Sequence, residues 1–259
     1  ILAWNGLARG RMSRLEFDHA NVDGFPADTR IVDFRALRWA DDGSAVFFGI
    51  KEWERKELPA ATLAKAAEDS TATGEADEKA AAAQEKATPA RAAAKDEEPA
   101  GVEVWHSKDV DIIPEQKVRL QRERRENFLA AWHTGSGRFV QLGNDLTEEV
   151  SLVEGQKLAI GQDQTPYEAE RMFGPIYHDF YRIDVATGQR ERIEEKLDWD
   201  FGTSPGGRYF LFLEDDHYWT IDLRTGKRTN ITANVPTSFV NLENDHTVEQ
   251  KPPFGMAGW

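Results

Sequence analysis

The sequence predicts an all-β chain of repeated short-stranded units, and three observations carry that prediction. Short apolar runs each follow a turn, one turn motif recurs in register, and its copies lie ~40 residues apart. The runs are Val46-Phe47-Phe48-Gly49-Ile50 after Asp41-Asp42-Gly43-Ser44, Leu158-Ala159-Ile160 after Glu154-Gly155-Gln156, and Tyr209-Phe210-Leu211-Phe212-Leu213 after Ser204-Pro205-Gly206-Gly207. Near-continuous apolar runs of this length suit strands covered on both faces.

The recurring motif is clearest where Tyr181-Arg182-Ile183-Asp184-Val185-Ala186-Thr187-Gly188-Gln189-Arg190 matches Trp219-Thr220-Ile221-Asp222-Leu223-Arg224-Thr225-Gly226-Lys227-Arg228. A looser copy runs from Leu129 through His133-Thr134-Gly135-Ser136-Gly137-Arg138 to Val140. Each copy reads as a strand, a tight turn with Gly where positive φ is wanted, and a second strand. Several short strands per unit at this period are the signature of propeller blades, whereas a sandwich would not repeat its turn sequence. The expected fold is therefore a β-propeller fragment of about three to four blades.

A low-complexity stretch at 54–100 interrupts this texture, dominated by Ala, Glu, Lys, Thr and Asp and without an aromatic residue. It cannot bury enough apolar area to offset its ordering entropy, so disorder or a loose solvated helix is expected. The organisation is then propeller at 1–53, insertion at 54–100, and propeller continued at 101–259. A second break, 114–127, alternates its charges and reads as a solvated helix or connector. Glu123 and Glu126 interleave with Arg119, Arg122, Arg124 and Arg125, which weakens any anion-binding reading. Both chain ends fall in mid-pattern, so a longer parent protein is expected.

Composition narrows the partners. With 32 Lys+Arg against 46 Asp+Glu, the formal net charge of −14 repels nucleic-acid phosphates and anionic headgroups, so no nucleic acid partner is expected. No run approaches the ~20 apolar residues needed to cross a bilayer as a helix, so no membrane insertion is expected. The chain has no cysteine, which removes disulfides, thiolate metal sites and a Cys nucleophile.

One motif matches a catalytic pattern. Gly202-Thr203-Ser204-Pro205-Gly206 satisfies G-x-S-x-G, yet the elbow needs an N–H after the serine and a helix beyond it. Pro205 has no N–H to donate, and a strand pattern follows, so Ser204 reads as a β-turn residue. The histidines His19, His106, His133, His178, His217 and His246 show no metal-binding spacing. The acidic pairs Glu148-Glu149, Glu194-Glu195 and Asp215-Asp216 read as exposed loop carboxylates. No catalytic, cofactor-binding or metal residue is assigned, and no cofactor is expected.

Several stretches together resemble the propeller of bacterial prolyl-oligopeptidase-family serine peptidases. They are Val102-Glu103-Val104-Trp105-His106-Ser107-Lys108-Asp109 with Pro114-Glu115-Gln116, the strand Gly137-Arg138-Phe139-Val140-Gln141-Leu142, the unit at 181–193 leading into Ser204-Pro205-Gly206-Gly207-Arg208-Tyr209, and the terminal Pro253-Phe254-Gly255-Met256-Ala257-Gly258-Trp259. The resemblance covers most of the chain from Val102 onward and also 37–50; the Ala/Glu-rich insertion and the first residues depart from it.

It implies a separate α/β-hydrolase domain carrying Ser, Asp and His, peptide substrates met through the full-length protein, and a propeller that gates their access. It also favours a periplasmic or secreted setting over a cytoplasmic one. In some propeller-bearing aminopeptidases a pair of glutamates holds the substrate's terminal ammonium; Tyr167-Glu168-Ala169-Glu170-Arg171 is the nearest segment here, with different spacing. The alternative function is a stand-alone propeller that binds or scaffolds other proteins.

Overall fold

Three turns of one geometry divide the chain into its sheets. In the first, the Ala40 amide donates to the Ala45 carbonyl and the Gly43 amide to the Ala40 carbonyl, both at 2.8 Å. Val153 repeats this with Leu158 at 3.0 Å and Gln156 at 2.8 Å, and Ser204 with Tyr209 and Gly207, both at 2.8 Å. Gly43, Gln156 and Gly207 take the left-handed position of each turn, at φ 70°, 52° and 65°. Glycine is at home there; Gln156 is the strained copy.

The computed structural model describes residues 1–5, 12–53, 106, 109–171, 174–245 and 251–259. Apart from His106 they lie in one compact unit made of Ile1–Trp53 and Ser107–Trp259. The expectations placed on the insertion at 54–100, and most of the distinctive 102–108 stretch, lie outside the described residues.

Each turn joins the first two strands of a four-position antiparallel meander, here called a blade. Blade 1 contains β3 (Thr29–Ile31), β4 (Arg38–Trp39), β5 (Ala45–Glu52), β6 (Phe128–His133) and β7 (Arg138–Gln141). Both β3 and β4 pair antiparallel with β5, at its far and near ends, so together they form one broken first strand. Blade 2 runs in order through β8 (Glu149–Leu152), β9 (Leu158–Asp163), β10 (His178–Asp184) and β11 (Arg190–Leu197). Blade 3 does so through β12 (Asp200–Thr203), β13 (Tyr209–Glu214), β14 (His217–Asp222) and β15 (Arg228–Asn230). A two-stranded hairpin, β1 (Leu2–Asn5) with β2 (Ser13–Glu16), precedes them.

The motif read from the sequence is the turn between third and fourth strands. Gly137, Gly188 and Gly226 donate their amides to the carbonyls of His133, Asp184 and Asp222 at 2.8, 2.7 and 2.8 Å, with φ between 71° and 76°. The aspartates close the turns with their side chains: Asp184 Oδ1 accepts from the Thr187 amide and Asp222 Oδ1 from the Thr225 amide. Thus a repeated Asp…Thr-Gly sequence becomes a repeated hydrogen-bond set.

The sheets stack in series, and each shares a core with the next. Phe47, Ala131 and Val140 of blade 1 meet Val150, Ala159 and Ile183 of blade 2. Ile160 and Phe180 of blade 2 meet Phe210, Phe212 and Ile221 of blade 3. The remaining face of blade 1, with Val46, Phe48 and Trp132, is covered by Ala3 and Phe17 of the N-terminal hairpin. The remaining face of blade 3, with Leu211, Leu213 and Tyr218, is covered by Phe239 and Val240. Strands buried on both faces explain the continuous apolar runs, and burying each such Phe or Ile side chain contributes ~1.5–3 kcal/mol. This succession of four-stranded meanders, each sandwiched between neighbours, is the β-propeller arrangement that the sequence predicts.

Among the described residues one α-helix, α1 (Ile113–Glu123), lies between β5 and β6. Pro114 opens it, where its missing N–H costs nothing. It buries no residue, in line with a solvated helix read from 114–127. Asp111 anchors it: the carboxylate receives Arg119 and, at 2.6 and 2.7 Å, Arg171 Nη2 from the β9–β10 connection. Lys51 Nζ donates to the Glu123 carbonyl at 2.7 Å, tying the helix end to β5.

Candidate functional site

Length differences between the blades are concentrated in one connection. Blade 3 joins its second and third strands by Asp215-Asp216, a two-residue turn with both residues at positive φ, 49° and 62°. Blade 2 uses the segment from Gln164 to Tyr177, and blade 1 the whole span from Trp53 to Asn127. Elaborated loops on a rigid sheet scaffold are where binding residues concentrate.

A cleft of about 610 Å³ opens where the two long connections meet the loop entering β8. Its walls include Glu52 at the end of β5, Arg119 and Glu126 around α1, Asp145, Glu148 and Glu149 before and within β8, and Gln164 and Glu168 after β9. Arg35, Lys51 and Arg122 add positive charge, but carboxylates outnumber the cations along the lining. Smaller hollows of about 190 and 230 Å³ share Asp145 with it.

Glu148 is the lining carboxylate on which the charges of the cleft converge. Burial raises its carboxyl above the usual range, and the charges of Glu126, Glu168, Asp145 and Asp163 push it further in the same direction. Carboxylates from three separate segments thus repel one another around one opening. Such an arrangement favours an incoming ammonium or guanidinium group, which relieves the repulsion and is offered charge-assisted acceptors.

Two acidic segments singled out in the sequence, Glu148-Glu149 and the one containing Glu168, therefore meet across a single cleft. Their convergence had no sequence signal, because it depends on which loops the sheet stacking brings together. The other two pairs have different fates. Asp215 and Asp216 are the hairpin turn described above. Glu194, read as an exposed loop carboxylate, is instead largely buried on β11, where Arg228 Nε of β15 pairs with it at 3.1 Å. Burial lifts its carboxyl from 4.5 to about 7, against the lowering effect of Arg228 and with a further rise from Glu214.

Ser204 lies at the blade 3 turn, away from the cleft lining. Its Oγ accepts from the amides of Arg208 and Tyr209 at 3.3 and 3.1 Å, and β13 follows it, not a helix. His133 Nε2 lies 3.0 Å from the Val185 carbonyl and His217 Nδ1 3.2 Å from Thr232 Oγ1; among the described histidines His178 borders a hollow next to the cleft. Among the described residues no group of three or more His, Asp or Glu side chains is arranged to hold a metal ion, and no helix is long and apolar enough to cross a membrane.

Sheets and cleft together define a β-propeller module. No protein-family model matches the chain, and no curated protein does. Among solved structures it is similar to TolB from Acinetobacter baumannii, at 18% identity over 44% of this chain and 28% of that one, with a TM-score of 0.27. It is also similar to a putative TolB from Agrobacterium tumefaciens, at 14% identity over 41% of this chain and 39% of that one, again with a TM-score of 0.27. The chain thus spans well under half the length of either protein. Likeness at this level carries no argument about function, and the fold rests on the sheets themselves.

Proposed function

We propose that this β-propeller module receives peptides at the acidic cleft by their cationic groups, and that it does so as the non-catalytic, gating propeller of a prolyl-oligopeptidase-type serine peptidase. The observation that supports the binding reading is the convergence of Glu126, Asp145, Glu148, Glu149 and Glu168 on one opening, with the Glu148 carboxyl raised first by burial and further by the charges of Glu126, Glu168 and Asp145. The resemblance of the blade units and of the stretch around Trp105-His106 supports the peptidase setting. A gate of this kind needs no chemistry of its own: it excludes bulk and holds a chain end while a separate hydrolase domain acts.

Anisotropy titrations with labelled, unstructured peptides test the binding reading. A peptide with a free N-terminus or a basic residue near it should bind more tightly than its N-acetylated, neutral counterpart, and added salt should weaken the difference. Replacing Glu148, Glu149 and Glu168 together by Gln should cut the affinity for the cationic peptide about tenfold, the loss of roughly one charge-assisted contact. Equal binding of both peptides, unmoved by salt or by the triple variant, would remove the cleft from the function. The gating part is tested in the full-length protein, where hydrolysis should fall as the peptide lengthens and folds.

A further inference from the structure

The acidic cleft also holds arginines that no acid answers. Four cations line it, Arg35, Lys51, Arg119 and Arg122, and all four belong to blade 1 and its long connection. Two are already engaged. Arg119 pairs with Asp111 and lies 3.9 Å from Glu123, and Lys51 donates to the Glu123 carbonyl at 2.7 Å. Among the described residues Arg35 and Arg122 form no ion pair. Nor do Asp145, Glu148, Glu149 and Glu168, which line the same opening from the entry of blade 2 and its own connection. Unpaired arginines and unpaired carboxylates thus reach one cleft from different sheets without meeting.

Arg35 is held in place by its surroundings. It lies between β3 and β4, half-buried, and its Nη1 donates to Asn127 Oδ1 at 2.9 Å. Asn127 is fixed in turn, since its Nδ2 donates to the Arg125 carbonyl at 2.8 Å. Gly49 of β5 makes room for both: a Cβ there would collide with Asn127 Oδ1 and lie 3.0 Å from Arg35 Cβ. Burial opposes the charge of this guanidinium, and its side-chain partner is a neutral amide. A partly buried cation without a counter-ion is costly, and a ligand that brings the counter-charge relieves it.

Arg122 reaches the same opening from α1, and it also lines the adjoining hollow of about 190 Å³. The acids interleaved with it in the sequence leave it unpaired, because Glu123 is within ion-pair reach of Arg119 instead. The basic run of 119–125 therefore keeps one arginine available at the cleft.

We propose that the cleft holds short peptides at two points, the ammonium group on the acids of blade 2 and a carboxylate of the same peptide on Arg35 and Arg122. This rests on the reading of the cleft as a peptide site and narrows its ligands from cationic to zwitterionic. Guanidinium groups suit the second point, because their fixed fork of donors matches a carboxylate. The volume of about 610 Å³ is that of a small-molecule site, so the occupant is a few residues long and not a folded partner. Opposite charges on the two sides also set the direction in which the peptide lies.

Calorimetric titration of the intact chain with tetra-alanine tests this, using the peptide with both ends free, N-acetylated, or C-amidated. The free peptide should bind about tenfold more tightly than its amide, the difference made by roughly one charge-assisted contact. Arg122 stands on a helix that buries no residue, so Arg122→Gln leaves the core untouched; it should bring acid and amide level, and Arg35→Gln should do the same. Ala-Ala-Ala-Glu with an amidated end separates the two sources of carboxylate. Binding as tight as the free acid extends the arginine site to side-chain carboxylates, and binding no better than the amide confines it to the chain end; either keeps the site. Acid and amide bound equally, with the acetylated form weaker, would overturn the carboxylate site and leave the cationic reading standing. A difference between acid and amide that persists in both arginine variants would overturn the assignment to Arg35 and Arg122. Indifference to both ends of the peptide would remove both readings.

Discussion

Val153 and Ser204 hold the same place in two successive blades: each donates its amide to the carbonyl five residues on, at 3.0 and 2.8 Å. Each also accepts at its carbonyl from the amide three residues on, at 2.8 Å. Ala40 holds that place in blade 1, so the turn needs no hydroxyl. What Ser204 adds is an Oγ that accepts from the Arg208 and Tyr209 amides at 3.3 and 3.1 Å. Replacing Ser204 by Ala should lower stability by about 1 kcal/mol, the net worth of such bonds, as read by urea unfolding. In the full-length protein, labelling by a fluorophosphonate probe should persist in this variant; its loss would make Ser204 a nucleophile after all.

Left-handed glycines separate backbone strain from crowding. Gly226, at φ 71°, has open space where a Cβ would sit, whereas a Cβ on Gly207, at φ 65°, would lie 2.7 Å from the Glu154 carbonyl oxygen. Both substitutions by Ala incur the left-handed penalty of ~1–2 kcal/mol. Only Gly207→Ala also forces apart the turns of blades 2 and 3. It should therefore cost at least ~2 kcal/mol more than Gly226→Ala, a gap that puts it among the severe steric substitutions. Equal losses in chemical denaturation would mean that the two blade turns are not in close packing.

Glu194 gives stability a pH dependence of known sign. Its carboxyl is raised from 4.5 to about 7 in the folded protein, first by burial, then by Glu214, with Arg228 opposing. The folded chain therefore keeps a proton that the unfolded chain has lost within that window. Stability contributed by this group is full below the unfolded value and declines as pH rises toward the folded one. Glu194→Gln removes that contribution while Arg228 stays paired with Glu214. Unfolding free energies at about pH 5 and about pH 8 should differ less in the variant than in the parent, and at the higher pH the variant should be the more stable. A variant with the parent's pH profile would mean that Glu194 is charged in the fold.

How far the sequence reveals the fold depends on whether a feature is local. The Asp184 and Asp222 turns and the left-handed Gly207 are written in a few consecutive residues, and the structure realises them with matching hydrogen bonds. Apolar runs such as Phe210-Leu211-Phe212 announce burial on both faces without saying which sheets supply the cover. The cleft is not local: Glu148, Glu168 and Glu126 come from three connections, and only the stacking of blades 1 and 2 brings them together. Glu194 misled for a related reason, since its ion-pair partner Arg228 lies on the neighbouring blade.

The pairing of β5 with β6 sets what the intervening chain contributes to stability. Ile50 lies opposite Phe128 and Gly49 opposite Leu129, so the ends of the long connection are held as neighbours by the sheet itself. Loop-closure entropy grows only as the logarithm of loop length, at about 0.6 kcal/mol per doubling. Removing residues 57–99 therefore makes closure slightly easier, and it leaves the tie from Lys51 to Glu123 and that from Arg171 to Asp111 in place. The deletion variant should unfold in one transition, with its midpoint within about 4 °C of the parent, the shift that ~1 kcal/mol produces in a domain of this size. A fall of 10 °C or more would show that the removed residues pack against the blades.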